Sequence, residues 1–280
     1  MFENYPKERI SLPKAYQDIY AEQYKKNREG QTSASSLSQK MESWMHKRVA
    51  QDVKGIDNKS TLEIGAGTLN QLKYENTKPY DIVEPFIELY RDSQYKSSLN
   101  ELYTDINEIS DKKKYDRITS IATFEHITDL PKVVAKTCIL LNPNGSLRVS
   151  IPNEGTILWR MGWKLTTGLE FRLKYGLDYG VIMKHEHVNT AKEIEEVLYF
   201  FYSTIRCSVF GFTKTFALYR FYECSSPKSD RAKEYLKTLH TSSIQNQANI
   251  SWTLMIRMYS LCCLLYTSPS PRDRTRSRMP

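Results

Sequence analysis

The stretch that most constrains the fold is Ser60-Thr61-Leu62-Glu63-Ile64-Gly65-Ala66-Gly67-Thr68-Leu69-Asn70, a short apolar strand running straight into a glycine turn. Leu62 and Ile64 alternate as buried strand positions do, and Gly65 and Gly67 allow a turn tight enough for the backbone to approach a ligand. A nicotinamide dinucleotide fold would carry a third glycine, in G-x-G-x-x-G, to let the next helix pack closely and aim its N-terminus at a pyrophosphate. Asn70 stands in that place.

Asp81-Ile82-Val83-Glu84-Pro85 reads as a second strand, ending in an acid 17 residues after Gly67. That is close to the ~20-residue spacing at which a carboxylate meets ribose hydroxyls in nucleoside-binding folds, and one carboxylate can accept from both hydroxyls. Leu102-Tyr103-Thr104-Asp105-Ile106 reads as a third strand end. A fourth strand, Tyr115 to Ala122, runs into Thr123-Phe124-Glu125-His126-Ile127. Helical stretches at Asn70–Tyr74, Phe86–Asp92 and Leu130–Leu141 lie between or after these strands, a pattern that favours a parallel sheet. Asn142-Pro143-Asn144-Gly145 should stop the last of them and turn into a fifth strand, Ser146 to Asn153. A helix over Ala191–Phe201, introduced by the capping pattern Asn189/Thr190 and Glu193, precedes two further strands, Thr204–Phe210 and Phe216–Cys224.

These motifs, in this order and spacing, resemble those of class I S-adenosylmethionine-dependent methyltransferases of the small-molecule type. The resemblance covers about Leu12 to Cys224. It implies a Rossmann-like α/β fold: a seven-stranded, mostly parallel sheet with helices on both faces, the last strand antiparallel, and an N-terminal helical lid. It implies S-adenosyl-L-methionine as cofactor, held by Glu63, Gly65, Ala66, Gly67, Glu84, Pro85, Asp105, Ile106, Ala122, Thr123 and Phe124, with Glu84 on the ribose and Asp105 near the adenine amino group. Residues 1–59, with helices at Leu12–Arg28 and Ser36–Val53, would form the lid, and Tyr20, Tyr24 and Ser33 would face the cofactor. Residues 60–224 would form the methyltransferase domain, 154–189 its irregular substrate cap, and 225–262 a helical extension. The acceptor would be a small molecule methylated on oxygen or nitrogen, such as a sugar or another biosynthetic intermediate.

Transfer from a sulfonium is an in-line displacement on an activated carbon, so positioning and exclusion of water come first. For a hydroxyl acceptor, histidine is the natural proton acceptor near neutral pH, and His187 and His126 are the candidates, with His185 beside them. No metal is expected. In ubiquinone-pathway O-methyltransferases a carboxylate three residues before the Glu-His pair helps hold a divalent ion, and Ala122 occupies that position. His185-Glu186-His187, read as strand, would also send its glutamate away from its histidines.

Two other function classes are weaker. A short-chain oxidoreductase using NAD(P) needs Tyr-x-x-x-Lys after the fifth strand, whereas Tyr74 and Lys78 supply that spacing between the first and second. A catalytically silent nucleoside-binding protein would not need Glu63, Gly65, Gly67, Glu84 and Asp105 together. No nucleic-acid partner is expected: Ala122-Thr123-Phe124-Glu125 replaces the Asp/Asn-Pro-Pro-Tyr motif of DNA methyltransferases, and the formal charge of +8 is inflated by the C-terminal tail. Four arginines against one aspartate there contribute +3 of it, leaving a mild +5. Cys263-Leu264-Leu265-Tyr266-Thr267-Ser268-Pro269-Ser270-Pro271-Arg272-Asp273 also matches one reading frame of a transposase-based sequencing-library adapter, so residues 263–280 read as a non-native tail, the alternative being a genuine basic, Pro/Ser-rich disordered one. No apolar run reaches the ~18 residues of a membrane span. The start, Met1-Phe2-Glu3-Asn4-Tyr5-Pro6, has no apolar signal core, and the five cysteines lack metal-type or disulfide-type spacing. A cytoplasmic protein with no membrane partner is the expectation.

Overall fold

The structure, a computed structural model, describes residues 2–20 and 36–241. Tyr24, Ser33, most of the 225–262 extension and the adapter-like tail lie outside them. The chain divides into two compact units after Lys233. In the second, the described residues 234–241 are helical.

In the first unit, β1 (Thr61–Ile64), β2 (Tyr80–Val83) and most of β4 (Tyr115–Ile121) are buried, as parallel strands covered on both faces must be. With β3 (Leu102–Tyr103), β5 (Leu141–Pro152), β6 (Tyr202–Gly211) and β7 (Ala217–Pro227) they form one seven-stranded sheet in the order β3-β2-β1-β4-β5-β7-β6. The first five strands run parallel, and β7 enters antiparallel between β5 and β6. Strand order reverses direction at β1, so a crevice opens past the carboxyl ends of β1 and β4.

Two buried arginines dock the helix before the sheet. α1 is the helical segment over residues 14–20, and α2 spans Ser36–Val49. The last carbonyls of α2 lack intrahelical partners. Arg117 of β4 donates to Val49 O at 3.0 Å, Arg148 of β5 to the same oxygen at 2.8 Å and to Arg48 O at 2.9 Å. Their charges are met by Glu75 and Asp52 beside Arg117, and by Asp52 and Glu223 beside Arg148. On one face of the sheet α3 (Leu130–Leu140) packs with α7 (Ala191–Phe201), whose Ile194, Val197, Leu198 and Phe201 form a buried stripe at helical spacing. The Thr190–Glu193 capping box starts α7 where the sequence places it.

Several local expectations change. The first helix starts at residue 14 rather than at Leu12, because Pro13, which fixes its own φ and lacks a backbone donor, sits directly before it. Phe86–Asp92 reduces to a single 3-10 turn at Ile87–Leu89, because Phe86 and Ile87 are exposed and give no face to bury. Asn142-Pro143-Asn144-Gly145 lies inside β5. Leu141 already pairs with Tyr115, the register shifts before Arg117 meets Ser146, and Asn142 holds this irregular stretch by donating to Asp116 at 2.8 Å. Residues 154–189 are mostly helical rather than irregular: α4 (Ile157–Trp163) continues through a π turn (Lys164–Gly168) into α5 (Leu169–Tyr175), and α6 (Gly180–Glu186) follows. Thr156 caps α4 and Gly176, at φ +69°, ends α5. His185 and Glu186 therefore close a helix and do not lie on a strand. Among the described residues no helix is long and apolar enough to cross a membrane.

Candidate active site

The carboxyl ends of β1, β2 and β4, with the turn after β3, open on one cavity of about 720 Å³, within the usual size range of small-molecule and cofactor sites. Parallel pairing sets this convergence, since Ile64 is level with Val83 and Ser120 and the residues that follow emerge together. Gly65, Glu84, Pro85, Asp105, Ile106, Ala122, Thr123 and His126 line it. Tyr20 lines it too, and Arg9, Lys132 of α3 and Glu186 of α6 join it.

The glycine turn is built differently from the simplest reading. At Gly65, with φ +72°, a Cβ would stand 2.3 Å from Thr123 Oγ1, so the missing side chain makes room for Thr123. Gly67, φ +52°, has open space around its missing Cβ, and its N–H donates to Glu84 Oε2 at 2.9 Å. Phe86 N–H donates to Glu84 Oε1 at 3.0 Å. The carboxylate is thereby fixed by one backbone donor per oxygen, and each oxygen retains a lone pair for a hydroxyl. Ala122 sits at φ +48°, a strained position for a residue with a Cβ, directly on the cavity wall. Asp105 accepts from Asn107 N–H at 2.7 Å and is exposed at the cavity rim.

Glu63, Ala66, Gly67, Phe124 and His187 lie outside this lining. Glu63 turns into the core, where it accepts from Tyr80 Oη at 2.9 Å, and burial pushes its carboxyl up to about 8 despite that bond. Ala66 packs with Leu69 and Leu72, and Phe124 is fully buried.

At one end of the cavity His126 lines the wall and His187 packs against it from outside the lining, and each imidazole is held by a carboxylate. His126 Nδ1 is 2.9 Å from Glu186 O and 3.3 Å from Glu186 Oε2; His187 Nδ1 is 2.7 Å from Glu154 Oε2. The rings lie 4.9 Å apart at 79°. Burial alone would lower the His126 pKa, but the Glu186 hydrogen bond and the neighbouring Glu125 charge raise it above its ordinary value. Burial would raise Glu186, yet hydrogen bonds from His126 and Tyr20, with the charges of His126 and Arg9, hold it down at about 2. Glu154 is also held low against its burial, by His187 and by the Trp159 Nε1–H that donates to it at 2.7 Å.

Distant segments assemble this end. Arg9 donates to His126 O at 2.8 Å and His185 O at 3.1 Å, and Lys7 N–H to Thr128 O at 2.9 Å. The N-terminal chain thus crosses both the turn after β4 and the end of α6. Val188 and Asn189 N–H both donate to Glu125 O, at 2.9 and 3.1 Å. Arg9, Glu154, Glu186 and Asn189 are the site residues that sequence reading missed. The Asn189 signal was present but was taken only as a cap for α7.

Residues 34–198, well over half of the 280-residue chain, match the family model described as a methyltransferase domain. The chain belongs to this methyltransferase family. No curated protein sequence matches it. Among solved structures it is similar to the plantazolicin methyltransferase BpumL, in complex with a pentazolic desmethylPZN analog and SAH, at 14% identity over 76% of this chain and 93% of that one, with a TM-score of 0.53. BpumL in complex with SAH is similar at 14% identity, 75% and 92% coverage and a TM-score of 0.51. At that identity the likeness is one of fold, and it matches the mostly parallel sheet with its antiparallel close.

Proposed function

We propose that this chain transfers a methyl group from S-adenosylmethionine to a small-molecule nucleophile, an oxygen or a nitrogen. The observation that carries the reading is the Glu84 carboxylate, pinned by Gly67 and Phe86 N–H with a lone pair to spare on each oxygen, in one cavity with Gly65, Asp105, Ile106, Ala122 and Thr123. When bound, the cofactor supplies a methyl on a sulfonium, already activated toward displacement. Glu84 accepts the ribose hydroxyls, Asp105 meets the adenine amino group at the rim, and the Gly65 turn leaves backbone facing the aliphatic end. Thr123, seated against Gly65, holds the floor between the two ends of the cavity.

His126, on the cavity wall, receives the acceptor, and His187 backs it from outside the lining. With the His126 Nδ1 engaged by Glu186, its Nε2 is the nitrogen left to meet the acceptor's polar hydrogen. The cap formed by α4 to α6 and the Arg9 segment decide which acceptor enters, and water leaves as it does. The family match, and the BpumL fold that binds SAH, support this reading. Unpaired, buried Cys138 and Cys224 support a reducing, cytoplasmic setting.

Calorimetry of the full chain with S-adenosylmethionine, S-adenosylhomocysteine and NAD tests it. The first two should bind and NAD should not, and Glu84→Ala should weaken cofactor binding at least tenfold. Equal binding by Glu84→Ala would refute the ribose assignment. A labelled-methyl screen against an extract of the source cell identifies the acceptor.

A further inference from the structure

Glu125 has no role in the reaction above, yet it is one of the most deeply buried charges in the unit, at 1% exposure. Its Oε2 has no hydrogen-bond partner among the described residues, and burial raises its pKa against the opposing charges of His126 and His187. A buried carboxylate oxygen without a partner is costly and calls for a ligand. Oε1 lies 3.8 Å from His126 Nε2, and one donor atom each from Glu125, His126 and His187 fall within 4.8 Å of one another. A cation between them needs only small side-chain rotations to draw all three to bonding distance, about 2.0–2.2 Å.

Three further contacts match what a metal site requires. Both imidazoles already carry a carboxylate on Nδ1, the arrangement that fixes the tautomer and turns the other nitrogen toward a cation. The ligands' backbones are tied together by the Val188 and Asn189 N–H groups on Glu125 O, so the cluster does not depend on a loop closing. His126 lines the cavity, which leaves the cation a side open to an incoming atom.

We propose that Glu125, His126 and His187 bind a divalent transition-metal cation, Zn²⁺ or Co²⁺ in preference to Mg²⁺. Two nitrogens and one carboxylate with an open position suit these borderline ions, whereas Mg²⁺ prefers an all-oxygen octahedron. The third ligand comes from the end of α6, not from position 122, and this is why Ala122 does not preclude a site. The use of the cation, though not its binding, rests on the methyltransferase reading: it faces the acceptor's end of the cavity and would hold the acceptor's oxygen or nitrogen there, the imidazole Nε2 atoms then serving as its ligands in place of a direct contact with the acceptor's hydrogen.

The test is titration of tag-free, chelator-treated full chain with Co²⁺, followed by visible absorption, and with Zn²⁺ and Mg²⁺ by calorimetry. One equivalent of Co²⁺ should bind and give ligand-field bands, Zn²⁺ should displace it, and Mg²⁺ should not. Glu125→Gln and His187→Gln should each weaken binding at least tenfold. Glu154→Gln, which touches no cation, should weaken it on the order of 10-fold through His187. His185→Ala should leave it unchanged. No saturable Co²⁺ or Zn²⁺ binding, or unchanged binding in His187→Gln with its melting temperature intact, would overturn the site. Cofactor calorimetry on the same samples separates the two proposals: S-adenosylmethionine binding without a cation sinks only the metal site, and cation binding without the cofactor sinks only the methyltransferase reading.

Discussion

The side-chain amide of Asn189 donates to the carbonyl oxygens of Phe124 (2.9 Å) and Ile127 (2.7 Å), tying the turn after β4 to the segment after α6. Tyr5 Oη donates in turn to Asn189 Oδ1 at 3.1 Å. One fully buried residue therefore joins three stretches of chain that are far apart in sequence, and His126 and His187 flank the joint.

Asn189→Ala should strand two largely buried carbonyls at about 1–3 kcal/mol for each group left unsatisfied. We expect a loss of about 2–4 kcal/mol, which for a domain of this size lowers the melting temperature by roughly 5–15 °C. Methyl transfer should fall further than cofactor affinity, because the cofactor's end of the cavity does not depend on this joint. Cofactor affinity falling in step with the rate would contradict that division.

Gly65→Ala should be costly for a reason specific to this fold. The residue sits at φ +72°, where a Cβ costs about 1–2 kcal/mol, and the added methyl would also meet Thr123 at 2.3 Å. Cofactor affinity should drop at least tenfold. Pairing it with Thr123→Ala removes the atoms at 2.3 and 2.4 Å, so the double variant should recover part of the loss. Additive losses in that cycle would show that Thr123 is not the obstacle.

The sheet was legible because its strands announce themselves: buried parallel strands read as short apolar runs, and the acid or glycine at each carboxyl end marks where the chain meets the crevice. Glu84, Gly65 and Asp105 could be placed this way because they follow their strands directly. Glu63 fails by the same periodicity that located it. Within a strand covered on both faces, an acid one residue short of the end points into the core, here at Tyr80. The acceptor's end was far less legible. Glu154, Glu186 and Arg9 belong to three elements with no shared spacing, and their meeting depends on how α6 and the N-terminal chain cross the turn after β4.

Glu154→Gln should separate positioning from binding. The amide oxygen can still accept one hydrogen bond, but the charge that orients His187 is gone. The rate of methyl transfer should fall about tenfold while the KM for S-adenosylmethionine stays within roughly twofold, as expected when the lost interaction concerns the reacting end alone. A change confined to that KM would place Glu154 with the cofactor instead.

Glu63 gives the fold a pH dependence of unusual sign. Its carboxyl is raised from the ordinary 4.5 to about 8 by burial, so between those values the native state binds a proton that the unfolded chain has released. Stability therefore falls as pH rises across that window and levels off above it, by an amount on the order of a few kcal/mol. Glu63→Gln keeps an acceptor for Tyr80 Oη and cannot ionise. Its melting temperature should match wild type near pH 5 and exceed it by pH 8, with the gap opening steadily between. Since Glu63 lies outside the cavity lining, cofactor affinity measured near pH 6 should stay within about twofold. Parallel melting curves from pH 5 to 8 would mean that the buried carboxyl is already relieved in solution, and a loss of affinity at pH 6 would return Glu63 to the cofactor's site.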